Sequence, residues 1–126
     1  MVNRILITGS SGYIGKHLGD FFSKDNRFDV LGVDRLELSS TGFETVKVDL
    51  NEDQLSNIVD KFSPNVVLHF AAQTNVRKSI IDPNLDELDN FHATVRLAKA
   101  VSKYSPFFIF ANSGGAIFGE TDLFGA

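Results

Sequence analysis

The 126-residue sequence predicts an α/β fold, a doubly wound parallel sheet with strand order 3-2-1-4-5. Two observations carry that expectation: short apolar, β-rich runs alternate with stretches of helical periodicity, and a glycine-spaced turn joins the first run to the first helical stretch. Residues 4–8 (RILIT) are a β-branched run stopped by a glycine, the pattern of a buried strand. Ile14, Leu18, Phe21 and Phe22 then fall at helical spacing, which predicts a helix over 12–24. Residues 28–34 (FDVLGVD) and 44–48 read as the second and third strands, with 39–43 as loop. Asn51, with Gln54 three residues on, suits a capping box. The helix it would start carries the stripe Leu55, Ile58, Val59 and Phe62 and stops at Pro64. Residues 65–70 (NVVLHF) form a fourth strand. After a loop, a helix over 83–103 turns Leu88, Phe91, Val95, Ala98 and Val101 inward. Residues 106–111 (PFFIFA) are a fifth strand, and the glycine-rich stretch 112–126 reads as irregular. Right-handed crossovers then place a topological switch point between strands 1 and 4.

Composition narrows the function classes. Hydrophobic residues make up 43% and charged residues 22%, the balance of one globular domain spanning 1–126. No apolar run reaches the ~18 residues of a membrane span, and MVNRILITG lacks the apolar core and cleavage site of a signal peptide. A cytoplasmic protein is the default expectation. A net charge of −4 argues against nucleic acid as a partner. The absence of cysteine excludes disulfides and thiolate metal sites. His17 and His92 have no partner at ligand spacing, so no metal is expected.

The chemistry-bearing motif is TGSSGYIG at residues 8–15, with glycines at 9, 12 and 15. The first allows a tight strand-to-helix turn, the second lets backbone approach a pyrophosphate, and the third lets the helix pack closely on the sheet. Together they aim a helix N-terminus at an anion. A glycine trio can simply mark a tight turn, but here a strand precedes it, a helix follows, and an acidic residue stands about twenty positions on. That residue is Asp34, at the end of strand 2 and placed to accept hydrogen bonds from ribose hydroxyls. A Rossmann-type dinucleotide site is the expectation. NAD is favoured over NADP because Asp34 would repel a 2′-phosphate, although adjacent Arg35 could soften that preference. A flavodoxin-like mononucleotide site is disfavoured, since FMN gives a ribose-binding carboxylate nothing to hold.

These residues resemble the extended short-chain dehydrogenase/reductase family, in particular NAD-dependent sugar-nucleotide epimerases and dehydratases of the UDP-glucose 4-epimerase kind. TGSSGYIG is similar to that family's glycine loop, and the resemblance runs over essentially the whole chain. Asp49-Leu50 resembles the acidic-apolar pair whose carboxylate meets the adenine amino group. His69-Phe70-Ala71-Ala72 resembles the motif ending strand 4 beside the middle of the cofactor. The following QTNVRKSIIDP, led by Gln73, keeps Val76, Ser79 and Pro83 in register with the family loop. Asn90, followed by Ala93-Thr94, resembles the asparagine of the next helix, and SGGAIFGE at 113–120 the segment after strand 5. The resemblance implies a cofactor site built from Gly9, Ser11, Gly12, Tyr13, Ile14, Gly15, Asp34, Arg35, Asp49, Leu50, Phe70, Ala71, Ala72, Gln73 and Asn90. Plainer readings stand beside it: His69 as a satisfied core histidine, Ala71 and Ala72 as small packing residues, Asn90 as an exposed helix residue.

The family's hydride chemistry needs a tyrosine with a lysine four residues later, because an unperturbed phenol is a poor base at neutral pH. This chain has only Tyr13 and Tyr104, followed four residues on by His17 and Phe108. By the resemblance, that pair and the nucleotide-sugar domain would lie beyond Ala126. Ser113 is the remaining catalytic candidate, and Phe118 replaces the segment's usual tyrosine. The expectation is therefore an N-terminal NAD-binding part, engaging a nucleotide-sugar only in a full-length context and not turning over by itself. The alternative is a stand-alone NAD-binding or sensor protein without chemistry. Five of the twelve phenylalanines lie in the last twenty residues, so self-association through strand 5 or the tail at 118–124 is also expected.

Overall fold

The computed structural model describes residues 2–37 and 42–113. Its five strands are β1 (Asn3–Thr8), β2 (Phe28–Asp34), β3 (Glu44–Lys47), β4 (Val66–His69) and β5 (Phe107–Phe110). They form one parallel sheet in the order β3-β2-β1-β4-β5, as the alternating pattern required. β1 is central, with Ile5 opposite Val30 on one side and Val66 on the other. Strand alternation divides the core in two. Leu6, Leu31, Val33 and Val67 face one way, onto α2 (Gln54–Phe62) and α5 (Ala93–Val101). Ile5, Ile7, Val30 and Leu68 face the other, toward α1 (Tyr13–Phe22) and Phe43.

The helices depart from the sequence reading in instructive ways. On α1 the buried positions are Gly15 and Gly19, flanked by half-buried Leu18 and Phe22, while Ile14 and Phe21 are exposed. Phe21, expected in the core, is 67% exposed. The face is set by close approach and not by apolar bulk, because the Phe43 ring occupies the space a Cβ on Gly19 would need. The expected capping box is absent: Asp53 is the N-cap of α2 and makes no side-chain cap bond. Asn51 instead follows a turn in which its amide donates to Asp49 Oδ1, at 2.9 Å.

The helix expected over 83–103 is a composite. A short α3 (Val76–Ile81) precedes it within the stretch read as loop. α4 (Pro83–Glu87) starts with Asp82 as a side-chain cap and runs into a π-helical turn (Leu88–His92), in which Ala93 N–H donates to Leu88 O. α5 follows, then a 3₁₀ turn (Ser102–Tyr104). The wider turn shifts the helical phase. Asp89, Ala93, Leu97 and Val101 face inward; of the five residues expected there only Val101 is fully buried, and Phe91 is 60% exposed. No helix among the described residues is long and apolar enough to cross a membrane.

Candidate functional site

β1 and β4 are neighbours whose connections leave in opposite directions, so a crevice opens at their C-terminal ends. A cleft of about 300 Å³ lies there. Gly9, Ser11, Gly12, Asp34, Arg35, Asp49, Leu50, Phe70, Ala71 and Ala72 line it, ten of the fifteen residues singled out for cofactor binding. Tyr13, Ile14 and Gly15 lie in the first turn of α1, outside the lining, as do Gln73 and Asn90. Ser113 is exposed just past β5; residues 114–126, with Phe118 and the tail, lie outside the described residues.

The turn between β1 and α1 is closed by backbone contact. Gly9 adopts φ +70°, and a Cβ there would stand 2.8 Å from the Ala71 nitrogen. Gly9 donates its N–H to Val33 O at 3.1 Å, and its own carbonyl accepts from Gly12 N–H at 3.0 Å. A Cβ on Gly15 would collide with that same carbonyl oxygen. Among the described residues no side chain caps α1, and no acidic residue stands in its first turn, so the positive end of the helix is open to an anion.

Asp34 faces this turn from the end of β2. One carboxylate oxygen accepts from Ser11 N–H at 3.0 Å and the other from Leu36 N–H at 2.9 Å. Each oxygen keeps a lone pair for a further donor. Arg35 turns toward the π-helical turn: its Nη2 donates to Asp89 Oδ2 at 2.8 Å, and Nη1 stands 3.9 Å from Asp49 Oδ2. Asn51 Oδ1 is buried at the cleft without a hydrogen-bond partner among the described residues.

Asn90 is engaged elsewhere. Its Oδ1 accepts from Gln73 N–H at 2.7 Å and its Nδ2 donates to Gln73 O at 3.0 Å. Gln73, Ser79 and Asp86 extend this clasp. The amide that the resemblance assigned to a cofactor here pins the chain leaving β4.

Beneath the cleft a proton chain crosses the sheet. Thr94 donates to Asn90 O at 2.6 Å, so toward His69 its oxygen can only accept, and His69 Nε2 carries the proton at 2.8 Å. His69 Nδ1 is then bare and accepts from Thr8 Oγ1 at 2.5 Å, while Thr8 Oγ1 accepts from Ala71 N–H at 3.2 Å. Burial pushes the His69 pKa down to about 4, keeping the ring neutral. Phe110 stacks on it, with ring centroids 5.6 Å apart. His69 is therefore a fully partnered core histidine.

Sequence reasoning missed Asp89, a lining residue, because its position reads as a polar helix residue. Thr8 and Thr94 were visible only as parts of motifs. The glycine turn, the uncapped helix end and the small Ala71 and Ala72 fit a dinucleotide: Gly9, Gly12, Ala71 and Ala72 line the cleft, and the turn that shapes it has no room for a Cβ on Gly9 or Gly15.

Comparison with known proteins extends the picture. The chain is 35% identical over 131 aligned positions to the UDP-glucose 4-epimerase of Mycolicibacterium smegmatis, covering 92% of this chain and 40% of that protein. It is 34% identical to the putative UDP-glucose 4-epimerase of Methanocaldococcus jannaschii, with the same coverages. Its fold matches the crystal structure of the Thermus thermophilus UDP-glucose 4-epimerase in complex with NAD, with TM-score 0.81 and 32% identity over 94% of this chain and 40% of that one. The chain thus spans about 40% of the length of these relatives. A family model also matches residues 5–123. By that match the chain belongs to the NAD dependent epimerase/dehydratase family.

Proposed function

We propose that the cleft at the ends of β1 and β4 binds NAD, and that the chain is the cofactor-binding part of a nucleotide-sugar epimerase or dehydratase. The observation that carries this is the glycine turn closed on Gly15, with the Asp34 carboxylate facing it. The turn and the uncapped start of α1 would hold the pyrophosphate. Asp34 would accept from the adenosine ribose hydroxyls, and its charge favours NAD over NADP. Asp49 and the orphaned Asn51 Oδ1 suit the adenine amino group, and Ala71 and Ala72 leave room for the middle of the cofactor. Bound NAD would supply hydride transfer at a sugar carbon. The 126 residues contain no Tyr-x-x-x-Lys, so for them alone the reading is binding, with Ser113 as an unassisted candidate hydrogen-bond donor to a sugar and the cytoplasm as the compartment.

Calorimetry with NAD, NADP, ADP-ribose and FMN tests this. We expect NAD to bind best among the first two, ADP-ribose to bind nearly as well as NAD, and Asp34→Ala to weaken NAD by about tenfold or more. Binding of FMN alone overturns the reading. The alternative reading is a stand-alone protein that holds NAD without chemistry. Conversion of a UDP-sugar by a longer protein that carries these residues together with a Tyr-x-x-x-Lys would exclude it.

We also propose that β5 supports self-association. It is an edge strand paired only with β4 among the described residues, and Phe107 and Phe110 are 70% and 52% exposed. Light scattering should show mass rising with concentration. A clean monomer at high concentration sinks the idea.

A further inference from the structure

Arg35 follows the ribose-binding Asp34 directly, the place from which an arginine accommodates the 2′-phosphate of NADP. In this chain its guanidinium is already committed. Nη2 bonds Asp89 Oδ2 at 2.8 Å, and the Asp89 side chain is only 7% exposed. Nη1 lies 3.9 Å from Asp49. Moving Arg35 onto a phosphate would leave the Asp89 carboxylate buried without its cation, which is strongly unfavourable. With Asp34 included, three carboxylates and one guanidinium line the cleft, and a phosphate dianion meets a net negative wall.

Resting on the NAD reading above, we infer that Asp89 is a specificity-determining residue: it holds Arg35 against the π-helical turn and so denies NADP the arginine that would otherwise receive its 2′-phosphate. Its placement depends on the fold. The two residues are 54 positions apart, and the phase shift of the π-helical turn brings Asp89 inward. Asp89 acts through Arg35 as a positioning residue and touches no reacting atom.

The test is calorimetric affinity for NAD and NADP in the wild type, Asp89→Ala, Asp89→Asn, and Arg35→Ala combined with Asp89→Ala, each checked for folding by thermal melting. Asp89→Ala is expected to tighten NADP by about tenfold while NAD changes less than about threefold. Asp89→Asn, which keeps the shape and removes the charge, should show a smaller gain in the same direction. The double variant should lose the gain. An unchanged NADP affinity in both single variants overturns the inference, as does a gain that survives loss of Arg35. Unfolding of both single variants also overturns it, making Asp89 a structural anchor. If the folded wild type binds no NAD, the functional reading itself fails and this inference falls with it; if NAD binds but the ratio does not move, the inference alone fails.

Discussion

Gly15→Ala is expected to reduce NAD affinity by about a hundredfold or more, because it forces apart the turn that shapes the site. The added Cβ would collide with the Gly9 carbonyl oxygen and stand 3.0 Å from Ser10 Cα. Both obstacles are backbone, so no rotamer change relieves them. Gly9 cannot retreat either, since it packs on the Ala71 nitrogen and is bonded to Val33 O. Overpacking of this kind costs about 1–3 kcal/mol, visible as a Tm lowered by several degrees. Gly19→Ala is the control. The nearest atoms its Cβ would meet all belong to the Phe43 ring, a side chain that does not line the cleft. That variant should lose stability and keep its NAD affinity. A Gly15→Ala protein that binds NAD like the wild type would show that the turn does not form the site.

The second large effect concerns His69. Its folded pKa of about 4 lies below the ordinary 6.5, because burial disfavours the charged ring. Between those values the unfolded chain binds a proton that the native state does not. The stabilisation is therefore complete above about pH 6.5 and is lost as pH falls toward 4, on the order of 3 kcal/mol in all. Urea denaturation at pH 7.5 and pH 5 measures it. His69→Leu removes the titration, so its stability should fall less than that of the wild type over the same range. At pH 7.5 the variant should already be about 2–5 kcal/mol less stable, since Thr8 and Thr94 lose their partner in a buried site. Parallel pH profiles for the two proteins would place the titrating group elsewhere.

Both effects arise where local sequence and tertiary placement meet, and the two were not equally legible. The strands were readable because a strand buried on both faces is a short apolar run, and RILIT, FDVLGVD and NVVLHF are such runs. The glycine turn was readable because its spacing is a local geometric demand. The phase of α1 was not, because Gly15 and Gly19 face the sheet and glycine adds nothing to an apolar stripe. Leu88 and Phe91, expected to face inward, were misjudged for another reason. A π-helical turn adds a residue to the repeat, and nothing in the periodicity announces it. Asn51 looked like a cap because Gln54 stood at the right distance, yet the turn at Asp49 took its amide first.

Gly9, Gly12, Gly15 and Asp34 were thus determined by the sequence itself, since a tight turn, a helix start and a strand-end carboxylate are each set by neighbours a few residues away. The partners of Arg35, Asn90 and His69 were decided only by the tertiary structure. Asp89 is 54 residues from Arg35, Gln73 is 17 from Asn90, and Thr8 is 61 from His69. At such separations the sheet order and the helical phase decide which polar groups meet, and those depend on how the whole core packs.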